Sequence, residues 1–255
     1  MNCIYCGARS KITREHIWAD WLKAYIKKDK TSYTHRVAVI HPSHIDESIK
    51  KIDGDPRSRR VKAVCSVCNS GWMSALQTRA KRNVISLASG SPTFLDRADQ
   101  TALAAWVGMA VMAAEFSTPD KVAISQDDRQ HLRLHRELPS NWRVWIAHYV
   151  RGDWKGYMAH NVMNLTAEHV PEADPEPFSM PNTQTTTFVV GELFIPAISS
   201  VHNGVAHDFN HRADGSDCLI QIWPASDAAM YPYGTITDMQ ADRITDEFFS
   251  LAASV

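Results

Sequence analysis

The sequence predicts an α+β protein built from two units, residues 1–85 and residues 86–255. Three observations support this division. Two C-x2-C pairs lie near the ends of the first unit, which is also strongly basic. The second unit opens with apolar segments of helical period and continues with alternating segments typical of strands. With 44% hydrophobic and 22% charged residues, the chain can bury a core without disulfides.

The first unit is predicted to mix helices and strands. HIWADWLKAYIKK, residues 16–28, has apolar side chains at helical spacing and predicts an amphipathic helix. THRVAVIHP, residues 34–42, alternates and predicts a strand. RVKAV, residues 60–64, predicts a short strand that leads into the second cysteine pair, and CNSGWMSALQTRAKRNV, residues 68–84, predicts a helix. The two cysteine pairs lie at distant points of this unit, so a metal bound by both would join distant segments.

The second unit is predicted to place two helices on an antiparallel sheet. ASGSPTFLD, residues 88–96, is typical of a linker, and the apolar segment 96–116 predicts a central helix. Ser125 is expected to cap a second helix that carries acids in its first turn. A final helix is predicted over residues 237–252. The predicted strands, rich in β-branched and aromatic residues, lie within 142–150, 156–165, 185–198 and 218–224.

The cysteines predict a structural zinc site. Cys3 and Cys6 form one C-x2-C pair, and Cys65 and Cys68 form a second. A two-residue gap lets one tight turn direct two sulfurs at one metal, and two such turns complete a tetrahedral site of four thiolates with no open position. The alternative is two unrelated pairs of buried or redox-active thiols. Cys218, in an apolar segment, is expected to be a core residue.

Between the two cysteine pairs lies Glu15-His16, and Asn69 directly follows Cys68. This arrangement resembles the HNH endonuclease family, and also a group of uncharacterised bacterial and phage HNH-type proteins. The resemblance covers residues 1 to about 82 and implies a ββα-metal finger as the fold of the first unit. It implies that Glu15 and Asn69 hold a catalytic divalent ion, Mg²⁺ or a similar hard cation. His16 would be the general base that activates water for phosphodiester hydrolysis.

The charge distribution favours a nucleic-acid partner for the first unit. Residues 1–84 hold 17 Lys and Arg against 7 Asp and Glu, a net charge of +10 in a chain whose total is −1. A basic region of this kind is expected to bind a polyanion, here DNA and possibly RNA. The alternative for each residue is an ordinary solvated charge. The candidate phosphate contacts are Arg14, Arg59, Arg60, Lys62, Arg79, Lys81 and Arg82.

Two features leave the assignment of roles open. The family often has a further Asn before the second cysteine pair, roughly where this chain has Arg59 and Arg60, so a backbone carbonyl, His35 or His41 would have to orient His16. Asn69 also suits the alternative role of a helix N-cap. A catalytically inactive zinc module that binds nucleic acid or a protein partner is therefore the second hypothesis.

Other classes of protein are disfavoured. The sequence has no Gly-rich phosphate loop and no G-x-S-x-G motif, which argues against a nucleotide-driven enzyme. No run of eighteen apolar residues and no signal-peptide pattern occurs, and clustered cysteines suit a reducing compartment. A cytoplasmic protein without membrane contact is expected. The second unit is expected to choose the target, bind a regulatory protein or form a homodimer.

Overall fold

The fold is described from a computed structural model of the chain. The structure describes residues 2–26, 32–40, 45–53, 56–119, 122–150, 152, 158–163, 181–202, 216–232 and 234–250. For residues 32–40, 45–53, 56 and 248–250 the description concerns the backbone.

The described residues form a mixed α+β fold, as the sequence predicts. The strands are β1 (Ile12–His16), β2 (Ser32–Ile40), β3 (Ile45–Asp53), β4 (Arg60–Cys65), β5 (Thr93–Asp96), β6 (Trp142–Tyr149), β7 (Met158–Met163), β8 (Thr183–Val190), β9 (Leu193–Ser200), β10 (Ile220–Trp223), β11 (Ala228–Tyr231) and β12 (Thr235–Ile236). The helices are α1 (Ser66–Cys68), α2 (Ser74–Ala88), α3 (Arg97–Ala114), α4 (Gln126–His135) and α5 (Asp238–Ser250), and a wide helical turn, Asn69–Met73, joins α1 to α2.

Strands β1 and β4 form a two-stranded antiparallel ribbon that closes the long gap between the cysteine pairs. Ile12 lies opposite Cys65, and His16 lies opposite Arg60, with a bulge between Thr13 and Arg14. The first cysteine pair precedes β1, and the second pair begins at Cys65, the last residue of β4. Antiparallel pairing of these two strands therefore brings both pairs to the same end of the ribbon.

The predicted helix over residues 16–28 is much shorter in the structure. The helical part is a single 3-10 turn, Asp20–Ala24. Ile17 still follows the ribbon, because its N–H donates to the Arg59 carbonyl at 3.1 Å, and the helical turn begins only after Ala19. The apolar pattern that suggested a helix is nevertheless buried, since Trp18 and Leu22 belong to the core. Residues 27 and 28 lie outside the described part.

The large sheet is mixed, not antiparallel throughout as predicted. Its eight strands include the order β10-β6-β9-β8-β7-β2-β3, with β12 pairing with β6. The β2/β7 and β12/β6 pairs are parallel, whereas the other pairs are antiparallel. The β2–β3 hairpin comes from the first third of the chain and extends the sheet at β7. This hairpin covers an edge of β7 that would otherwise expose unpaired backbone groups.

Helices cover both faces of the sheet. Trp106 of α3 contacts Phe188 of β8, with ring centroids 6.4 Å apart. The hydroxyl oxygen of Thr245 in α5 lies 2.9 Å from the hydroxyl oxygen of Thr187, the residue before Phe188 in β8. Because successive residues of a strand point to opposite faces, α3 and α5 lie on opposite sides of the sheet. The predicted cap is confirmed, as the Ser125 hydroxyl accepts from the Asp128 N–H at 3.0 Å.

The expected linker at residues 88–96 is structured. Helix α2 continues to Ala88, and β5 then pairs antiparallel with β11. The division at residues 85 and 86 stays a prediction, but in the described residues that position lies inside α2. The main hydrophobic core is continuous from Cys3 to Tyr231 and includes most of α3. Among the described helices, none combines the length and apolar character that crossing a lipid bilayer requires.

Candidate metal centre and adjoining polar site

The first cysteine pair lies in a tight backbone turn ahead of β1. The Gly7 N–H donates to the Cys3 carbonyl at 2.9 Å, and the Cys3 N–H donates to the Ala8 carbonyl at 3.1 Å. Gly7 has a φ of +68°, a left-handed conformation that a residue without a Cβ atom adopts easily. The turn thus holds the Cys3 and Cys6 sulfurs close together.

The second pair lies where β4 becomes α1. Cys65 precedes this helical turn, and its sulfur accepts from the Cys68 N–H at 3.4 Å. Two backbone hydrogen bonds join the two segments. The Ile4 N–H donates to the Ala63 carbonyl of β4 at 3.1 Å, and the Ser66 N–H donates to the carbonyl of Lys11, the residue before β1, at 3.3 Å. Backbone pairing therefore aligns the two turns independently of the sulfurs.

The four sulfurs form a compact cluster that could hold a metal ion such as zinc. All of them lie within 4.8 Å of one another, and the Cys6 and Cys65 sulfurs are 3.7 Å apart. Four sulfurs bound tetrahedrally at about 2.3 Å from zinc are about 3.8 Å from each other, whereas a disulfide is about 2.05 Å long. All four cysteines are free thiols. The predicted convergence of the two pairs is thus confirmed.

Electrostatics favour a cation in this cluster. Burial opposes ionisation of Cys65, but hydrogen bonds from the Cys68 backbone and the neighbouring thiols lower its pKa to about 6. Burial raises the pKa of Cys68 to about 12 and also raises the pKa of Cys6. Several thiolates so close together repel one another unless a positive charge compensates them. A bound divalent ion removes this penalty and favours ionisation of every sulfur.

Glu15 lies on the buried side of β1, with 6% of its surface exposed. Burial raises the pKa of its carboxyl group from 4.5 to about 7, a hydrogen bond from Asn69 opposes the increase, and the charge of Asp20 adds to it. A buried carboxylate is stable as an anion only beside a positive charge or several donors. This side chain therefore fits a hard divalent cation chemically, since such a cation would supply the missing positive charge.

Asn69 directly follows Cys68 of the metal cluster, and its side chain forms a hydrogen bond with Glu15. Its amide nitrogen donates to the Thr13 hydroxyl at 3.2 Å, and that hydroxyl donates to the Val64 carbonyl at 2.9 Å. The amide nitrogen thus forms the hydrogen bond, whereas a hard cation would bind the amide oxygen. Asn69 has helical backbone angles and follows the turn that Cys65 caps, so the alternative role as a helix N-cap is wrong.

His16 is the last residue of β1 and points to the opposite side of the strand from Glu15. Its Nδ1 lies 3.1 Å from the Asp20 carboxylate, and the Arg60 Nε–H donates to its Nε2. Burial lowers the pKa of His16, Asp20 opposes the decrease, and the positive charges of Arg60 and Lys23 add to it. The lowered pKa favours the neutral imidazole, the form in which a histidine can accept a proton.

The predicted ligands of the catalytic divalent ion, Glu15 and Asn69, are not part of a larger group of possible metal ligands. Within the described part of the chain, the four cysteines are the one group of three or more His, Cys, Asp or Glu side chains close enough to share an ion. Glu15 and Asn69 are in contact, whereas His16 extends from the other side of β1. Two oxygen ligands suit Mg²⁺, which commonly keeps several water ligands in proteins.

The candidate phosphate contacts fall into two groups. Arg14 and Lys62 are exposed and lie opposite each other on the ribbon, beside Arg60. Arg79, Lys81 and Arg82 are exposed on α2. The Lys81 ammonium lies 5.8 Å from the ring of Trp21, the residue after Asp20, which connects the second group with the His16 side of the ribbon. Arg59 is partly exposed between the turn Pro56–Ser58 and β4.

The sequence pattern missed Asp20, Lys23 and Thr13 as members of the site. Asp20 contacts both His16 and, at 2.7 Å, the Lys23 ammonium. An acid four residues after a candidate catalytic histidine was the available signal. The supports considered from sequence, the side chain of His35 and the whole of His41, lie outside the described residues.

The chain matches no known protein-family model, and neither curated proteins nor solved structures show a match to it. The site is therefore interpreted from its own geometry and chemistry.

Proposed function

We propose that the protein is a metal-dependent endonuclease of HNH type that hydrolyses phosphodiester bonds in DNA. The observation that carries the proposal is that β1, which pairs with the strand leading into the four-cysteine cluster, brings Glu15 against Asn69 and carries His16 as the next residue. The cysteines would hold a structural zinc ion that fixes β1 against the start of α1. His16 and Asn69 are then held in place by elements that the zinc ion joins.

In this proposal His16 acts as the general base. Its neutral imidazole takes a proton from the attacking water, and burial together with nearby positive charges keeps it neutral. Glu15 and the amide oxygen of Asn69 would hold a divalent ion, which supplies positive charge to the phosphate and to the departing oxygen. The raised pKa of Glu15 supports this role, because a bound cation stabilises the ionised carboxylate.

The substrate is proposed from charge. Arg14 and Lys62 form an exposed basic pair on the ribbon that also carries His16. Such side chains bind phosphates without reading sequence, so they would position a nucleic-acid backbone at the imidazole. Residues 86–255 would serve target choice, partner binding or dimerisation, because they carry most of the acidic groups.

One observation favours a second function, a zinc module that binds nucleic acid or a protein without catalysis. The lone pair of His16 Nε2 is engaged by the Arg60 Nε–H, in the position where an attacking water would have to be. If that contact persists with substrate bound, His16 cannot accept a proton. The two functions differ in whether the protein cuts DNA.

The test is nicking of supercoiled plasmid by the full chain with added Mg²⁺ or Mn²⁺. We expect nicking by the wild type and a loss of about 10²–10⁴-fold in His16→Ala, the usual contribution of a general base. His135→Ala, an exposed histidine on α4, is the matched control and should cut like the wild type. Absence of wild-type cleavage of both DNA and RNA with either ion would refute the nuclease and favour the binding module.

A further inference from the structure

His16 is held by two side chains of opposite hydrogen-bonding character. The Asp20 carboxylate lies 3.1 Å from Nδ1, and the Arg60 Nε–H is directed at Nε2. The His16 side chain is 16% exposed, so these two contacts define most of its polar surroundings. Asp20 is itself fixed by the Lys23 ammonium at 2.7 Å.

These contacts determine where the imidazole carries its proton. An ionised carboxylate only accepts hydrogen bonds, so Nδ1 must donate to Asp20. A guanidinium only donates, so Nε2 must be the unprotonated nitrogen with its lone pair facing Arg60. The two neighbours thus select the same neutral tautomer, with the proton on Nδ1. The Nε2 lone pair is the one a general base would use, and in the resting protein Arg60 occupies it.

We propose that Asp20 and Arg60 are the positioning residues of His16: Asp20 fixes the tautomer, and Arg60 covers Nε2 until a nucleic-acid phosphate draws the guanidinium away. The inference rests on the proposed function only in assigning a use to the uncovered lone pair. Asp20 replaces the supporting Asn that the sequence lacks. Arg60 keeps the base unable to accept a proton until substrate is present.

The position of Arg60 makes this exchange physically reasonable. Arg60 is an exposed residue at the start of β4, and its neighbours on the ribbon, Arg14 and Lys62, are exposed cations. A guanidinium forms paired, charge-assisted hydrogen bonds with a phosphate, which are stronger than a single bond to a neutral imidazole. Repulsion among the basic side chains also falls when a phosphate neutralises them. A backbone phosphate that binds between these residues therefore competes successfully for Arg60.

The experiment is nitrogen NMR of the full, zinc-loaded chain containing isotope-labelled histidine, without added Mg²⁺ so that no cleavage occurs. His16 signals are assigned by their loss in His16→Gln, and the probe is a short DNA duplex. In the free wild type we expect a single tautomer with the proton on Nδ1. Asp20→Asn alone should keep this tautomer, because Arg60 still donates to Nε2, whereas Asp20→Asn combined with Arg60→Gln should yield a mixture of tautomers, because an amide can donate as well as accept.

Arg60 is tested through the Nε2 resonance. Arg60→Gln should move that resonance in the free protein to the value that the wild type reaches when saturated with duplex. Lys62→Gln, which removes a neighbouring positive charge on the same strand, should leave the free resonance at the wild-type value. Circular dichroism and zinc content show whether each variant keeps its fold.

Two results would overturn the inference: a proton on Nε2 in the free wild type, or an unchanged Nε2 resonance in a folded Arg60→Gln variant. Neither result requires cleavage, so the inference can fail while plasmid nicking succeeds. Conversely, the NMR results can hold in a protein that does not cut DNA, in which case the nuclease proposal alone is refuted.

Discussion

Replacing Glu15 by Gln should stabilise the fold at neutral pH in the absence of added divalent ions. Burial raises the pKa of Glu15 from 4.5 to about 7, so its ionisation is easier in the unfolded chain than in the folded one. A pKa raised in the folded state means that the wild type loses stability as pH rises from about 4.5 through about 7. The effect is absent below that range and complete above it.

The magnitude follows from the size of the pKa change. A rise of about 2.5 pH units at 1.36 kcal/mol per unit gives about 3 kcal/mol as an upper value. Water that reaches the carboxylate reduces the effect, so we expect Glu15→Gln to gain about 1–3 kcal/mol of unfolding free energy at pH 8 relative to the wild type. At mildly acidic pH the two proteins should be nearly equal. Mg²⁺ should stabilise the wild type and leave the variant unchanged, because it would bind the ionised carboxylate.

The assay is urea unfolding of both zinc-loaded proteins at acidic and alkaline pH, with and without Mg²⁺. The difference between wild type and variant at each pH cancels the pH dependence of zinc binding itself. Glu137→Gln, at an exposed carboxylate, is the matched control and should change stability little at any pH. The reasoning is refuted if Glu15→Gln destabilises the protein at pH 8, or if Mg²⁺ stabilises both proteins equally.

Two further predictions concern the core and the basic ribbon. In the wild type, the buried Arg129 guanidinium lies 2.5 Å from the Glu115 carboxylate. Glu115→Gln leaves this guanidinium without a counter-charge and should lower the free energy of unfolding by about 3–5 kcal/mol, measured in urea titrations. A change as small as that of Glu137→Gln would contradict this prediction. Lys62→Gln should weaken DNA binding and reduce the slope of log affinity against log salt by about 1, measured by fluorescence anisotropy. An unchanged slope would show that Lys62 makes no phosphate contact.

The metal cluster could be predicted from sequence because its geometry is local. Each C-x2-C pair folds into its own turn, and the left-handed Gly7 and the Cys68 N–H support those turns within a few residues. Only the contact between the two turns is long-range, and it requires nothing beyond pairing of the strands next to each cysteine pair. The spacing within each C-x2-C pair therefore carried the prediction.

The surroundings of His16 could not be predicted in the same way. Asp20 reaches His16 because Ile17 still bonds to the ribbon and the 3-10 turn begins only at Asp20, whereas the apolar pattern indicated a regular helix. Tertiary hydrogen bonding by Ile17 overrides the local helical preference here. The Arg60 contact depends on strand register, since Arg60 lies opposite His16 only because the ladder skips Ala63 of β4. A one-residue difference in register would move Arg60 to the other face.

The sequence does not show how strands from distant segments combine. The strand predicted at residues 34–42 was assigned to the first unit, yet β2 pairs in parallel with β7 of the large sheet. Residues that suggested a linker include β5, which pairs with β11 from near the other end of the chain. Alternating patterns identify strands but do not specify their partners when the connections are long.

The most direct test of the account is the metal content of the purified full chain, measured by native mass spectrometry. We predict one zinc ion per folded chain, retained in Glu15→Gln and lost in Cys65→Ser, because only the latter removes a ligand of the four-cysteine cluster. A folded chain that carries no zinc, or zinc that remains bound at full occupancy in Cys65→Ser, would contradict the account.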